Sequence, residues 1–303
     1  MTPRILTITL NPAVDVTYRV GALRLGGTTR VPDVRSRAGG KGVNVAAVVR
    51  ELGGESVVLA LTTTRTPDEF RIGLDELGLA HRLVPALPAV RRTVAVVTPA
   101  DGTTMLQEVG LPAAATAEAG IFAALRAELP AGAVVISGSV PEGLGADVPA
   151  KLARLCTRHG VPVIADVSGA ALREAAGSGA VLMPNEDELK ELGGPGACQD
   201  LVAAGVPAVV ATFGAEGAIA VTAEGAWRAR PAEAVAGNPA GAGDAGAAAL
   251  ARHLSGVSEV DWPAALADVV ATSAAAVLRP VAGEVDVAAR DRWISAVAVE
   301  RMR

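Results

Sequence analysis

The chain has 303 residues, of which half are hydrophobic and 19% are charged, and its formal net charge is −5. This composition is typical of a globular protein, and the length allows one large domain or two small ones. The acidic balance and the content of only three Trp, three Phe and one Tyr argue against a nucleic-acid partner, because such proteins use basic patches and stacking aromatic rings.

The N-terminal segment MTPRILTITLNPAV carries a short apolar run that Asn11 and Pro12 interrupt. A signal peptide or a membrane span needs a longer, uninterrupted apolar run, so we expect a cytoplasmic protein with no membrane partner. Cys156 and Cys198 lack the spacing of a metal or redox site, and the three His residues stand far apart. The sequence therefore predicts reduced, structural thiols and no protein-held transition metal.

Two segments before residue 110 read as short antiparallel strand pairs. The first is VDVTYRV followed by GGTTRVPDVRSR, and the second is VRRTVAVVTPADGTTMLQEV with a turn over residues 99–102. Both interrupt the alternation of apolar runs and helical stretches that the rest of the chain shows, and both carry several arginines. We expect them, at about 14–36 and 89–110, to form a small sheet that lies as a lid over one end of a single domain spanning residues 1–303.

The stretch RAGGKGVNVAAVVRELGG has its valines at helical spacing. Gly39 and Gly40 then lie at the helix entrance, where free N–H groups favour an anion or a hydroxyl-rich ligand, and Lys41 adds a cation. The stretch is not a Walker A loop, since Arg35 replaces the first glycine and Gly42 follows the lysine. An ordinary tight turn is the alternative interpretation.

Through the middle of the chain, apolar runs such as AVVISG, VPVIADV and AVVATFG alternate with helical stretches. This rhythm predicts βαβ units around a parallel sheet covered on both faces. The turns in ISGSVPEG, ADVSG, MPNEDEL and ATFGAEGA follow or close strands, so they predict one shared cleft at the carboxyl ends. Asn185 and Glu188 suit either waters around Mg²⁺ or a plain helix cap.

The stretch NPAGAGDAGAAAL contains G-x-G-x-x-G at residues 241–246, but AGNPA and no apolar strand precedes it. A pyrophosphate bound there would confront the like charge of Asp244, which excludes a nicotinamide site. A carboxylate beside the amides of Ala242 and Gly243 suits a base that deprotonates a hydroxyl while a phosphoryl group is transferred. The alternative is that Asp244 only caps the following helix. A serine hydrolase is excluded, because no G-x-S-x-G elbow is present.

Taken in order, RAGGKGVNVA, GSVPEG, PNEDEL, ATFGAEGA and NPAGAGDA resemble the ribokinase/PfkB superfamily of carbohydrate kinases over nearly the whole chain. The opening TLNPAVDVTY is similar to its branch that phosphorylates hexose phosphates. The resemblance implies a ribokinase-like three-layer α/β/α fold with a mostly parallel central sheet and a small β-sheet lid. It also implies ATP and Mg²⁺ as cofactors.

The resemblance carries family roles to matching positions. Asp244 would be the catalytic base, beside an anion hole from Gly241, Ala242 and Gly243. Arg91, in VRRTV where this branch has T-R-x-N, would bind the substrate phosphate, and Arg92 and Arg30 would supply further charge. The remaining sugar contacts would be Asp15, Gly39, Gly40, Lys41, Asn44 and Ser139. ATP would be bound by Asn185, Glu188, Thr212, Gly214, Gly217, Asn238 and Ser273, with Glu188 near Mg²⁺ through water; Asn238 stands where the family has an acid.

The resemblance implies an ATP-dependent kinase for a ketohexose phosphate, and we expect a 1-phosphofructokinase. The alternatives within the family are a tagatose-6-phosphate kinase and a 6-phosphofructokinase. A non-catalytic sugar or nucleotide sensor using the same cleft is the alternative from another class. We lean towards a homodimer formed through the lid.

Overall fold

The computed structural model describes residues 3–100, 102–194 and 196–302. Within these ranges the chain forms fourteen strands and ten α-helices. The strands are β1 (Ile5–Thr9), β2 (Ala13–Arg19), β3 (Asp33–Gly39), β4 (Ser56–Thr63), β5 (Ala80–Leu87), β6 (Arg91–Thr98), β7 (Gly102–Gln107), β8 (Ala133–Ser137), β9 (Val163–Asp166), β10 (Val181–Leu182), β11 (Ala208–Thr212), β12 (Ala218–Thr222), β13 (Gly225–Arg230) and β14 (Ala298–Arg301). The helices are α1 (Lys41–Glu51), α2 (Glu69–Glu76), α3 (Ala117–Glu128), α4 (Val148–Arg158), α5 (Gly169–Ala175), α6 (Glu186–Glu191), α7 (Ala197–Ala203), α8 (Ala242–Leu254), α9 (Trp262–Val277) and α10 (Val287–Trp293).

The large sheet has the order β14-β13-β12-β11-β10-β9-β8-β1-β4-β5. Its pairs are parallel from β11 to β5, and β12, β13 and β14 continue one edge antiparallel. The predicted mostly parallel sheet is therefore confirmed. Since carboxyl ends of parallel strands meet at one edge, Ser137, Asp166 and Thr212 lie at the same side of the sheet.

Helices cover both faces of this sheet, as the uninterrupted apolar runs predict. Alternate residues of β8 belong to two separate apolar clusters, with Val134 and Ile136 in one and Ala133 and Val135 in the other. Helices α3, α4 and α5 contribute to the first cluster, whereas α1, α8 and α9 contribute to the second. The result is the expected α/β/α arrangement of three layers.

The small sheet has the order β3-β2-β6-β7. The pairs β2–β3 and β6–β7 are antiparallel, as predicted, and β2 and β6 join them side by side in parallel. Of the predicted turn, Asp101 lies outside the described residues, and Thr98 pairs with Gly102 across it. In this register Asp15 lies between Arg37 and Thr93.

Both thiols are free and buried. Burial raises the pKa of Cys156 to about 12 and the pKa of Cys198 to about 11, which keeps both in the unreactive thiol form. Among residues 3–100, 102–194 and 196–302, no helix is both long and apolar enough to cross a membrane.

Candidate active site

A cavity of about 1350 Å³ lies between the carboxyl ends of the parallel strands and the small sheet. Residues from both ends of the chain meet in it; Asn44 and Asp244, for example, are 200 positions apart in sequence and share a hydrogen bond. Most residues predicted for the site line this cavity: Asp15, Gly40, Lys41, Asn44, Arg91, Asn185, Thr212, Gly214, Gly217, Gly241, Ala242, Gly243, Asp244 and Ser273.

Six predicted site residues do not line the cavity: Arg30, Gly39, Arg92, Ser139, Glu188 and Asn238. Arg30 and Ser139 are exposed, and the hydroxyl of Ser139 accepts a hydrogen bond from Asn11 at 3.0 Å. Asn238 uses its amide within the protein, since its Oδ1 accepts from the Ala240 N–H and its Nδ2 donates to the Pro280 carbonyl. Asn238 therefore shapes the loop before α8, and the structure does not direct it at a nucleotide.

The entrance of α8 is a tight turn that only glycine fits. Gly241 caps the helix with a φ of 81°, and a Cβ there would stand 2.6 Å from the Cβ of Ala282. The N–H of Ala242 donates to the Pro239 carbonyl at 3.2 Å, so it is not a free donor in this structure, and its part in an anion hole stays a prediction. Gly243 and Asp244 follow in the first turn, where N–H groups lack intrahelical partners. A Cβ on Gly243 would meet no atom within 4 Å, so an anion can approach closely.

Asp244 lies in this first turn with 6% of its surface exposed. Its Oδ2 accepts a hydrogen bond of 2.8 Å from Asn44 Nδ2. Burial, and then the charge of Asp166, raise the pKa of Asp244 to about 7, although Lys41 and Asn44 act in the opposite direction. A carboxyl group with a pKa near neutral pH can accept a proton during a reaction and release it afterwards.

Asp166, at the end of β9, is a site residue that the sequence reasoning did not single out. Its Oδ1 lies 2.8 Å from Lys41 Nζ, and its Oδ2 accepts a 2.6 Å hydrogen bond from the hydroxyl of Ser137. Burial is the largest single effect and lowers the pKa of Lys41, but the charges of Asp166, Asp244 and Glu188 and the hydrogen bond to Asp166 together raise it above its ordinary value, so the ammonium stays charged. The only signal in sequence was the polar turn ADVSG after a predicted strand.

At the small-sheet end of the cavity, Asp15 packs directly over Gly39, because a Cβ on that glycine would stand 2.0 Å from Asp15 Oδ2. Burial raises the pKa of Asp15, while the charges of Arg37 and Arg91 lower it. The guanidinium of Arg91 donates to the carbonyls of Asn11 and Glu108. Asp15, which can accept hydrogen bonds from hydroxyl groups, and the cation of Arg91 are thus neighbours in the cavity.

Arg92 does not supply the further cavity charge that its position beside Arg91 suggested. Successive residues of a strand point to opposite faces, and Arg92 donates to Glu69 Oε2 at 2.8 Å on the other face of the small sheet. Only one of the two adjacent arginines therefore serves the cavity.

At the opposite end, Asn185 and Glu188 form a reciprocal capping box on α6. Asn185 N–H donates to Glu188 Oε2, and Glu188 N–H donates to Asn185 Oδ1, both at 2.9 Å. Burial raises the pKa of Glu188, against the hydrogen bond from Asn185 and the charge of Lys41. Of the two alternatives predicted for Asn185 and Glu188, these hydrogen bonds show the helix cap.

The donor set still fits Mg²⁺, because this ion usually takes one or two carboxylates and completes its shell with water and substrate phosphates. Glu188 contributes such a carboxylate beside the cavity wall formed by Asn185. Within the described ranges, no cluster of three or more His, Cys, Asp or Glu residues forms a metal cage. An ion that arrives with a nucleotide needs no such cage.

The cavity is also lined by Ser273 on α9, whose buried hydroxyl has no hydrogen-bond partner. Thr212, Gly214 and Gly217 form the facing turn. Gly217 has a φ of +89°, and a Cβ there would stand 2.0 Å from the Ala229 carbonyl oxygen. This turn therefore requires glycine for its backbone shape.

Comparison with known proteins agrees with this geometry. The model of the pfkB family of carbohydrate kinases matches residues 7–288. The 1-phosphofructokinase of Xanthomonas campestris pv. campestris is 33% identical in an alignment of 275 residues that covers 84% of this chain and 85% of that protein.

Solved structures share the fold over nearly the entire chain. Phosphofructokinase-2 from Escherichia coli in complex with fructose-6-phosphate has a TM-score of 0.85 at 25% identity, with 97% of this chain and 99% of that chain covered. Arabidopsis thaliana ribokinase complexed with ribose and ATP has a TM-score of 0.71 at 20% identity, with 96% and 98% covered. The ribokinase-like fold is thus confirmed, and the chain belongs to the pfkB family of carbohydrate kinases.

Proposed function

We propose that this carbohydrate kinase transfers the γ-phosphoryl group of ATP to a ketohexose phosphate, specifically to the 6-hydroxyl of fructose 1-phosphate. The observation that carries the proposal is the cavity itself, whose lining brings Asp15 and Arg91 of the small sheet, the base candidate Asp244 and Ser273 into one space. The 33% identity to a 1-phosphofructokinase supports this substrate.

In this proposal the sugar lies against the small sheet. Asp15 accepts hydrogen bonds from sugar hydroxyls, and Arg91 binds the existing phosphate, because a guanidinium forms charge-assisted hydrogen bonds with phosphate oxygens. ATP occupies the end with Thr212 and Ser273. Glu188 would hold Mg²⁺ through water, and the ion would neutralise phosphate charge.

The transfer needs one proton to move and one phosphoryl bond to be exchanged. Asp244 accepts the proton of the sugar hydroxyl as its oxygen forms the bond to the γ-phosphorus. The bond from the γ-phosphorus to the bridging oxygen breaks, and its electron pair stays with ADP. The first-turn N–H groups of Gly243 and Asp244 stabilise the transferring group, since helix N-termini favour anions.

A coupled assay of ADP formation tests the substrate, with fructose 1-phosphate, fructose 6-phosphate and tagatose 6-phosphate compared at equal concentration. We expect the highest kcat/KM with fructose 1-phosphate. A higher value with one of the other sugars would assign the chain to that kinase activity instead. No ADP formation with these or a broad panel of other sugars would favour a sensor.

Arg91→Ala is expected to raise the KM for the sugar phosphate by about 10- to 100-fold, as the loss of a hydrogen bond between charged groups predicts. The KM for ATP should hardly change, because Arg91 lies at the small-sheet end of the cavity. Arg92→Ala is the matched control, since it removes the same charge from the other face of the sheet. An equal rise in the KM for ATP and for the sugar phosphate would contradict the role of Arg91. An equal rise in the KM for the sugar phosphate in both variants would contradict it as well.

We also propose that the chain acts as a single domain whose small sheet is a lid, and that two lids pair in a homodimer. The edge strand β7 is exposed along its whole length, and Leu106 is 59% exposed. An open apolar edge strand invites pairing with another chain. Light scattering coupled to size-exclusion chromatography is expected to give twice the monomer mass, and Leu106→Lys should shift the protein to monomer.

A further inference from the structure

Three polar side chains from three separate elements form a continuous chain beside the base. The hydroxyl of Ser137, at the end of β8, donates to Asp166 Oδ2, and Asp166 Oδ1 accepts from Lys41 Nζ at the start of α1. The first two residues are buried, at 2% and 6% exposure. The ammonium of Lys41 is therefore held by an anchored carboxylate and is not free to follow a ligand.

Charged groups from three elements surround Asp244, and Lys41 and Asn44, one turn apart on α1, line the cavity beside it. The ionisable groups that act on it are Asp166 at the end of β9, Lys41 on α1 and Asp15 on β2, and Asn44 donates a hydrogen bond to it. Lys41 also interacts with Glu188 on α6. Two of the three ionisable neighbours of the base are thus anions, and Lys41 is the cation that opposes them.

We propose that Lys41, oriented by Asp166 and Ser137, is the fixed positive charge that keeps Asp244 ionised, rather than a group that grips the sugar. Asp166 and Ser137 are positioning residues for this cation. A base must be deprotonated before the sugar hydroxyl arrives, and burial among carboxylates works against that state. The inference rests on the proposed role of Asp244 as the base, and it needs no particular sugar.

The pH dependence of kcat/KM for the sugar phosphate tests this arrangement. Activity is lost as the pH falls through the pKa of the base, because the protonated carboxyl cannot accept a proton. Lys41→Met should move this acidic limb to higher pH by about one unit, as the loss of a nearby opposite charge predicts. Asp166→Asn should move it to lower pH, since a like charge is removed while the cation remains. Lys41→Arg should restore most of the wild-type limb.

Lys151→Met is the control, because this lysine pairs with Glu118 and Asp147 on the surface and is not part of the cavity. Its limb should match that of the wild type. A raised KM for the sugar with an unmoved limb in Lys41→Met would assign the residue to sugar binding and overturn the inference. Shifts in the same direction for Lys41→Met and Asp166→Asn would also overturn it. The acidic limb of the pH profile can be measured with any sugar that the enzyme phosphorylates, so a wrong substrate assignment does not affect the test.

Discussion

Asp244→Asn is expected to lower kcat by about 10²- to 10⁴-fold, the range that general acid–base catalysis contributes. The KM for ATP should change little, because the replaced atoms bond to Asn44 and the proposed ATP contacts are Thr212 and Ser273. The asparagine has the same shape and its carbonyl can still accept from Asn44 Nδ2. The loss of turnover would therefore report the missing proton acceptor and not a collapsed site.

The measurement is steady-state kinetics with both substrates varied, alongside the thermal midpoint of unfolding. Asp200→Asn, an exposed position on α7, removes the same charge far from the cavity and should retain wild-type turnover. Wild-type kcat in Asp244→Asn would show that this carboxylate only caps α8. Loss of turnover together with a large fall in the unfolding midpoint would likewise count against a purely chemical role.

Most of the fold and the outline of the site follow from local sequence patterns. The apolar runs AVVISG and AVVATFG predict buried parallel strands, and their polar ends predict a cleft, because strand order does not alter which edge carries the carboxyl ends. The glycines before α1 and α8 predict helix entrances, since backbone shape at a helix start depends on adjacent residues. Gly40 and Gly241 indeed have positive φ values.

The ion-pair and hydrogen-bond partners of the site residues could not be predicted, because they depend on how distant segments of the chain come together. Lys41 reads as a free cation in sequence, yet it pairs with Asp166, 125 positions away. The open amide expected at Ala242 is used by Pro239, and such a turn has no distinct sequence signature. By contrast, the outward direction of Arg92 follows from strand alternation and could have been found from the sequence once β6 was recognised.

Asp268→Ala is expected to lower the free energy of unfolding by about 3–5 kcal/mol, the cost of removing one partner of a buried ion pair. Asp268 on α9 is 2% exposed. It accepts two hydrogen bonds from Arg290 on α10, at 2.9 and 2.6 Å, and one of 2.8 Å from Thr272. His253 Nε2 on α8 lies 3.1 Å away. One carboxylate thus ties together α8, α9 and α10.

Urea unfolding checks this effect, with Asp291→Ala as the matched control. Asp291 also binds Arg290, at 2.7 Å, but it is 58% exposed, so its loss should cost at most about 1 kcal/mol. Equal losses in the two variants would contradict the importance of the buried contact.

The pH dependence of the free energy of unfolding is a second, independent test of the contacts of Asp268. Although burial opposes ionisation of Asp268, the hydrogen bonds from His253, Arg290 and Thr272 hold its pKa well below the ordinary value of 3.8. A depressed pKa contributes stability above the pKa of the unfolded chain, and this contribution fades as the pH falls below it. The stability difference between the wild type and Asp268→Ala should therefore be constant above about pH 5 and shrink below about pH 4. A difference that stays constant across this range would mean that the lost stability comes from packing and not from the ionised carboxylate.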